Sequence, residues 1–317
     1  MNWLQTLENV LQAAAAGVLT GSIYGLMCVG LALIFGVMRV INFAHGDFMM
    51  LGMYAALHVL GMLGLQTLLG DLWGPYVAIA LAVPILFGVG YAVHALLISR
   101  VTGTRTVQLD GEGHYAQLIL TLGIALMMTN GAQMAFGSVM ATLRTPLTTA
   151  AWQLPLGEDM GVFFNKSRSI AALAAFACIA LISLFIGRSR TGRELRAAAD
   201  NPVAATYMGI DVSRAHRFAF ALGVAITALA GGLLATNYPF HPFVGLEYVI
   251  VMYAGVVLGG MGSIFGAFWG GLTIGLVQQL STLVLPTQLQ NTAIFVVFLL
   301  IVFFRPQGFF GRSAERT

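Results

Sequence analysis

Long apolar runs, each close to a bilayer's thickness, dominate the chain and are parted by short polar segments. A helix needs about 20 apolar residues to cross a hydrocarbon core. Nine runs approach that length: 13–36, 43–64, 74–99, 115–137, 169–187, 216–236, 246–261, 264–285 and 288–304. Apolar residues are continuous within the runs rather than alternating, which predicts helices and not barrel strands. The expected fold is therefore all-α: a polytopic transmembrane helical bundle of about 8–10 spans in a single domain over 1–317. The seventh run is short, and the glycine break at 259–262 admits a re-entrant element there. Ahead of the first run, MNWLQTLENVLQ puts Trp3, Leu4, Leu7, Val10 and Leu11 on one helical face. That pattern fits an interfacial helix or a frayed start of the first span.

Composition makes the membrane assignment firm. Of 317 residues, 58% are hydrophobic and 9% charged, with a mean hydropathy of +0.87, where a soluble domain carries roughly a quarter charged residues. The net charge of +3, from 14 Arg and the single Lys166, is too small and scattered for a nucleic-acid partner. Cys28 and Cys178 both lie in apolar runs, so neither a disulfide framework nor a metal site is indicated. The first 38 residues hold no Lys or Arg, so the basic start of a cleavable signal peptide is missing and the N-terminus is expected to be retained. If nine spans alternate, Arg39, Arg100, Arg105, the group Arg188, Arg190, Arg193, Arg196, Arg214 and Arg217, and then Arg305, Arg312 and Arg316 all fall on one side. Arg144, Lys166 and Arg168 fall on the other. The positive-inside rule then sets the N-terminus outside and the C-terminus in the cytoplasm.

Gly17, Gly21 and Gly25 recur every four residues, as do Gly262, Gly266 and Gly270, with Gly271 and Gly275 beside them. Such spacing lines one helix face with small residues and lets neighbouring backbones approach closely. GGMGSIFGAFWGG at 259–271 lacks the Lys and Ser/Thr that a phosphate-binding loop requires, so no nucleotide hydrolysis is expected on this chain. No metalloprotease or serine-hydrolase motif is present.

Ionisable groups in or beside the spans are few: His45, Asp47, His58, His94 and Glu247. His58 and His94 stand alone and fit hydrogen-bonded packing. Glu247 fits a helix N-terminus, where the dipole favours a carboxylate. RVINFAHGDFMMLGMY at 39–54 is different, because Asn42, His45 and Asp47 fall within six residues between apolar runs. Capping by Asn42 and Asp47 explains part of this group. It explains neither His45 nor Gly46, a residue that costs helix stability. A gate or translocation path at the cytoplasmic end of the second span is one reading of Asn42, His45 and Asp47, and a structural turn is the other.

The longest polar stretch, 188–217, is punctuated. GRELRAAAD suits a short helix, Asp200 or Asn201 caps a second one with Pro202 at its first position, and Gly209 supplies a left-handed stop after VAATYM. Two short helices then present Arg193, Arg196, Tyr207 and Met208.

GLALIFGVMRVINFAHGDFMMLGMY (30–54), GRELRAAADNPVAATYMGIDVSRAH (192–216) and AGVVLGGMGSIFGAFWGGLTIG (254–275) resemble the permease subunits of branched-chain amino-acid ABC importers, specifically the smaller permease of the pair. The resemblance runs from the first span to RPQGFFG near the C-terminus. It departs at SRVTGTRTVQLDGEGHYAQ, where such subunits usually carry an Arg-Pro stretch. It implies a multi-pass protein of the bacterial inner membrane that works with a second homologous permease, two cytoplasmic ATPases and a periplasmic or extracellular solute-binding protein. ATP and Mg would bind the ATPases, with no cofactor on this chain. It also implies that the 188–217 helices seat in an ATPase through Arg193, Arg196, Asn201, Pro202, Tyr207, Met208 and Gly209. Permeases for urea and short amides are close relatives, so these solutes stay open. A secondary transporter or channel is the competing class, and the lack of any acidic residue at mid-span argues against proton coupling.

Overall fold

The computed structural model describes residues 3–101, 112–155, 161–286, 289–305 and 307–310. Among these, the helices are α1 (Trp3–Met38), α2 (His45–Met62), α3 (Leu65–Val93), α4 (Glu112–Phe136), α5 (Lys166–Arg188), α6 (Arg190–Asp200), α7 (Pro202–Tyr207), α8 (Val212–Ala235), α9 (Val244–Gly259), α10 (Ile264–Ser281) and α11 (Gln290–Phe304). A π-turn, His94–Ile98, carries α3 on into Ser99–Val101. Two short strands break the otherwise helical pattern: β1 (Ala151–Pro155) and β2 (Gly161–Asn165) pair antiparallel, with Trp152 opposite Phe164.

Each of the nine apolar runs forms a helix, but the runs are not equal. Trp3–Met38, Leu65–Val101, Ala116–Phe136, Lys166–Arg188 and Val212–Ala235 are each long and apolar enough to cross a membrane. Of the expected nine full spans, α9 and α11 are apolar but short, with 16 and 15 residues, and α2 and α10 have 18 residues each. α2 and α10 tolerate polar residues and glycines because protein covers them. Large exposed apolar side chains gather on α3 (Leu81, Ile85), α4 (Ile119, Met127, Met134), α5 (Leu173, Leu181) and α11 (Leu299, Phe303), and α10 adds Phe265 and Trp269 near its start.

At 1.5 Å per residue α1 is about 54 Å long, well beyond a hydrocarbon core of about 30 Å. The N-terminal amphipathic stretch is thus a direct continuation of the first span. It ends in a clamp, in which the Gln12 amide donates to the Phe163 carbonyl and accepts from the Phe163 N–H, both at 2.8 Å, tying α1 to β2. The loop before the strands is fastened to the end of α8, where the Leu143 N–H donates to the Ala235 carbonyl at 3.1 Å and Ala141 bridges Phe240.

The glycine pattern resolves into one seam. Gly17, Gly21 and Gly25 of α1 face Leu276, Leu272 and Phe268 of α10, while Gly271 and Gly275 of α10 face Gly25 and Gly21 in return. The same glycines let α9 fold back on α10, with Gly259 against Gly266 and Gly255 against Gly270. The turn between them uses left-handed Gly260 and Gly262 (φ 101° and 89°), and Gly262 lies beside Gly36 at the end of α1. α9 and α10 are therefore a tight antiparallel hairpin. In lipid, where apolar contact alone drives little association, such close packing holds helices together.

Candidate functional site

After Met38 the chain reverses through Arg39, whose φ of 54° marks the turn, and α2 starts at His45. His45 does not lie at the mouth of the bundle, as the sequence suggests. Its Nε2 is 2.7 Å from the Thr227 hydroxyl of α8. A Cβ placed on Gly30 of α1 would come within 3.3 Å of the same nitrogen. Gly30 is about 12 Å from the end of α1 at 1.5 Å per residue, so residues 40–44 re-enter the bundle and α2 begins inside it. Asn42, His45 and Asp47 are 1%, 0% and 5% exposed.

The cluster ties four helices to the start of α2. The Asp47 Oδ1 accepts from the Thr129 hydroxyl of α4 at 2.7 Å, and the Phe43 N–H donates to the Thr121 hydroxyl of the same helix at 3.4 Å. Gly46 meets the carbonyl of Gly245 at the start of α9, which explains the glycine that capping left unexplained. Asn42 does not cap α2 directly. Its Oδ1 accepts from the Ala44 N–H at 3.1 Å in the turn just before the helix, an Asx-type turn. Thr121, Thr129 and Thr227 were not singled out from the sequence, although Thr121 and Thr129, eight residues apart, share a face of α4. Among the described residues His45 Nδ1 and Asn42 Nδ2 have no partner, and no group of three His, Cys, Asp or Glu could hold a metal. The arrangement offers exchangeable hydrogen bonds at a helix junction, which suits a gate.

Asp47→Ala leaves the Thr129 hydroxyl without its acceptor, at a cost of about 1–3 kcal/mol. We expect the detergent-purified chain to unfold at lower temperature in this variant and in Thr129→Val. The double variant should be no worse than Asp47→Ala alone, because both remove one bond. Additive losses would show that the two residues act separately.

Of the two lone histidines expected to be hydrogen-bonded in the packing, His58 is and His94, among the described residues, is not. His58 Nδ1 lies 2.9 Å from the Tyr54 carbonyl one turn back. His94 is buried at the π-turn, its ring 5.6 Å from Phe220, with neither nitrogen partnered among the described residues.

The 188–217 segment forms the two helices that its punctuation predicts, α6 and α7. Ser189 caps α6 by accepting from the Gly192 N–H at 2.8 Å, Asn201 (not Asp200) caps α7 from the Ala204 N–H at 3.0 Å, and Asp211 caps α8 from the Arg214 N–H at 2.9 Å. Gly209 takes φ 81°, and the pair Ile210 N–H to Ala205 carbonyl and Gly209 N–H to Thr206 carbonyl, both 3.0 Å, closes a Schellman stop. Tyr207 and Met208 are 86% and 82% exposed at its tip. Arg193 and Arg196 do something the sequence did not indicate. They donate to the Arg188 and Gly187 carbonyls at 3.1 and 3.3 Å, and so hold α6 against the C-terminal end of α5. Arg39 does the same for α6, donating to the Ala199 carbonyl at 3.4 Å. Cations at helix C-termini also favour the dipole.

Between these parts lies a cavity of about 630 Å³, lined by Phe35, Gly36, Arg39, Arg196, Asp200 and Gly262 among others. It is bordered by the end of α1, by α6 and by the α9–α10 turn. The C-terminal segment closes the far side of that turn, where the Phe309 and Phe310 N–H groups donate to the Leu258 and Gly259 carbonyls at 2.8 and 3.1 Å. The three quoted motifs thus fall on contiguous parts of the structure: the α1–α2 junction, the α6–α7 pair and the α9–α10 hairpin.

Residues 13–304 match the family model described as the branched-chain amino acid transport system permease component. The chain belongs to this permease family. It is 28% identical over 306 residues to the high-affinity branched-chain amino acid transport system permease protein LivH of Escherichia coli K12, covering 95% of this chain and 96% of that one. It is also 28% identical over 309 residues to BraD of Pseudomonas aeruginosa, a permease of the same description, covering 96% and 97%. A probable branched-chain amino acid transport permease of Methanocaldococcus jannaschii is 30% identical over 260 residues, covering 81% of this chain and 76% of its own. No solved structure matches. Membership in the permease family agrees with a helical bundle whose polar groups gather at helix junctions. The segment that departs from the family pattern lies largely in 102–111, which with Arg105, Arg312 and Arg316 is outside the described residues.

Proposed function

We propose that the chain is one permease half of an ATP-driven importer for branched-chain amino acids. It would work beside a second homologous permease, two cytoplasmic ATPases that bind ATP and Mg, and an external solute-binding protein. The observation that carries this reading is the α6–α7 knob, capped at each helix start and stopped at Gly209. It is latched to α5 by Arg193 and Arg196 and to α1 by Arg39, yet it presents Tyr207 and Met208 to solvent. A knob so held moves as a unit with the helices to which it is latched. Nucleotide-driven closure of an ATPase pair would thereby tilt α1 and α5, and the α1–α2 junction beyond them would exchange its hydrogen bonds. Asn42, His45 and Asp47 gate the path in this scheme, and its two states differ in which helices they join.

The test is solute uptake into membrane vesicles carrying the whole system, with ATP supplied on the cytoplasmic side. Uptake of leucine, isoleucine or valine that requires ATP and the ATPases is the expected result. ATP-dependent uptake of urea or a short amide instead would reassign the solute. Uptake without ATP would favour a secondary transporter. Orientation is tested separately: with α6–α7 in the cytoplasm, a cysteine at exposed Ser213 should resist a membrane-impermeant thiol reagent added to intact cells. Ready labelling would reverse the topology.

A further inference from the structure

Glu247, in the first turn of α9, has a side chain 64% exposed, although its surroundings are apolar: Leu246 is 70% and Ile250 44% exposed beside it. Its depth follows from the next residue. The Tyr248 ring lies 5.9 Å from that of Tyr24, and Tyr24 is about 21 Å from the end of α1 at 1.5 Å per residue. Measured from the end of α1, that level is less than one hydrocarbon-core thickness of about 30 Å away. A carboxylate facing lipid at such depth is costly, so this face of α9 borders water or a polar solute.

Between α9 and α11 lies a cavity of about 220 Å³, lined by Glu247, Ile250, Val251, Asn291, Ile294 and Phe295. It is smaller than the roughly 300 Å³ at which drug-sized sites begin. Its two polar groups differ in kind. The Tyr24 hydroxyl donates to Gln278 Oε1 at 3.0 Å, and Gln278 Nε2 donates to Asn291 Oδ1 at 3.4 Å. This relay occupies the amide oxygen and leaves Asn291 Nδ2 to act as a donor. Glu247 is an acceptor, held on its far side by His241 Nε2 at 3.5 Å. One acceptor of negative charge, one donor and four aliphatic or aromatic walls match the three parts of an aliphatic α-amino acid.

We propose that this cavity is a transit site for such an amino acid. Glu247 takes the ammonium, Asn291 donates to the carboxylate, and Ile250, Val251, Ile294 and Phe295 receive the side chain. The assignment rests on the importer reading for its solute class, and it makes Glu247 and Asn291 recognition residues rather than a helix-end charge and a surface amide.

The test uses the full chain in its native membrane, with Ile250→Cys introduced beside Cys178→Ala; Cys28 is wholly buried. Reaction of the new thiol with a water-soluble maleimide reports occupancy directly. L-leucine should slow labelling. 4-Methylpentanoate, which lacks the ammonium, and isopentylamine, which lacks the carboxylate, should each need about tenfold higher concentration for the same protection, given the strength of hydrogen bonds to charged groups. Adding Glu247→Gln should raise the leucine concentration needed for protection by about tenfold as well, and Glu247→Asp should restore part of the loss. No labelling at all would mean that lipid or a partner subunit covers the groove, and would overturn the proposal. So would labelling indifferent to leucine, or equal protection with glutamine at 247. ATP-driven uptake, measured on membranes that carry the unsubstituted chain, separates the two ideas. Protection without such uptake refutes the importer but keeps the site, and uptake without protection refutes the site alone.

Discussion

Gly209→Val, and independently Tyr207→Ala with Met208→Ala, should nearly eliminate ATP-driven uptake while the protein still reaches the membrane in normal amount. Gly209 has φ 81° with nothing within 4 Å of a built Cβ, so space does not oppose a side chain there; conformation does. A left-handed L-residue costs about 1–2 kcal/mol, and a β-branched one is a marked outlier. The cost falls on the Schellman stop alone and reshapes the knob without disturbing the bundle. Tyr207 and Met208 are almost fully exposed, so their removal leaves no internal cavity. An aromatic anchor at the centre of an interface commonly contributes about 2 kcal/mol, or roughly 30-fold in association. Co-purification of the ATPases should drop by about that factor. Normal uptake and co-purification in both variants would remove α7 from the coupling path. Charge reversal at Arg193 and Arg196 is a less clean test than the sequence suggests, because these residues also hold the end of α5.

Gly21→Val and Gly271→Val should fail for the opposite reason, before any partner is met. A Cβ on Gly21 would lie 2.6 Å from the Leu272 carbonyl oxygen and 3.0 Å from its Cα. One on Gly271 would lie 2.5 Å from the Gly25 nitrogen. The obstacles are backbone atoms, which cannot rotate away, so α1 and α10 would have to part along the whole seam. Overpacking in a well-packed interior costs about 1–3 kcal/mol or more, and in lipid no hydrophobic term between helices offsets it. Membrane accumulation and thermal stability in detergent should both fall sharply. Gly88→Val on α3 and Gly123→Val on α4, where nothing lies within 4 Å, are the controls and should accumulate normally. Equal behaviour of all four would mean that the seam does not hold the bundle together.

Where the physics was local, the amino-acid sequence alone determined the outcome. Runs of apolar residues specify helices in a membrane whatever they pack against. The second short helix at 202–207 came through with only its cap left between Asp200 and Asn201, since a cap, a Pro at the first helical position and a left-handed Gly act within one turn of chain. Glycines every four residues announced a close helix approach without saying to which helix. Only the tertiary structure pairs Gly21 with Leu272, a partner far away in sequence. The depth of Asn42, His45 and Asp47 was equally hidden. The expected span end at the cytoplasmic mouth became a helix start within the bundle, because Gly30 and Gly245 leave room for the chain to turn back among α1, α8 and α9. The same is true of Thr129 and Thr227, whose hydroxyls pass for ordinary packing until Asp47 and His45 are brought against them. Spacing encodes which face a residue occupies. It does not encode what stands opposite, and at this site the opposing residues make the polar junction.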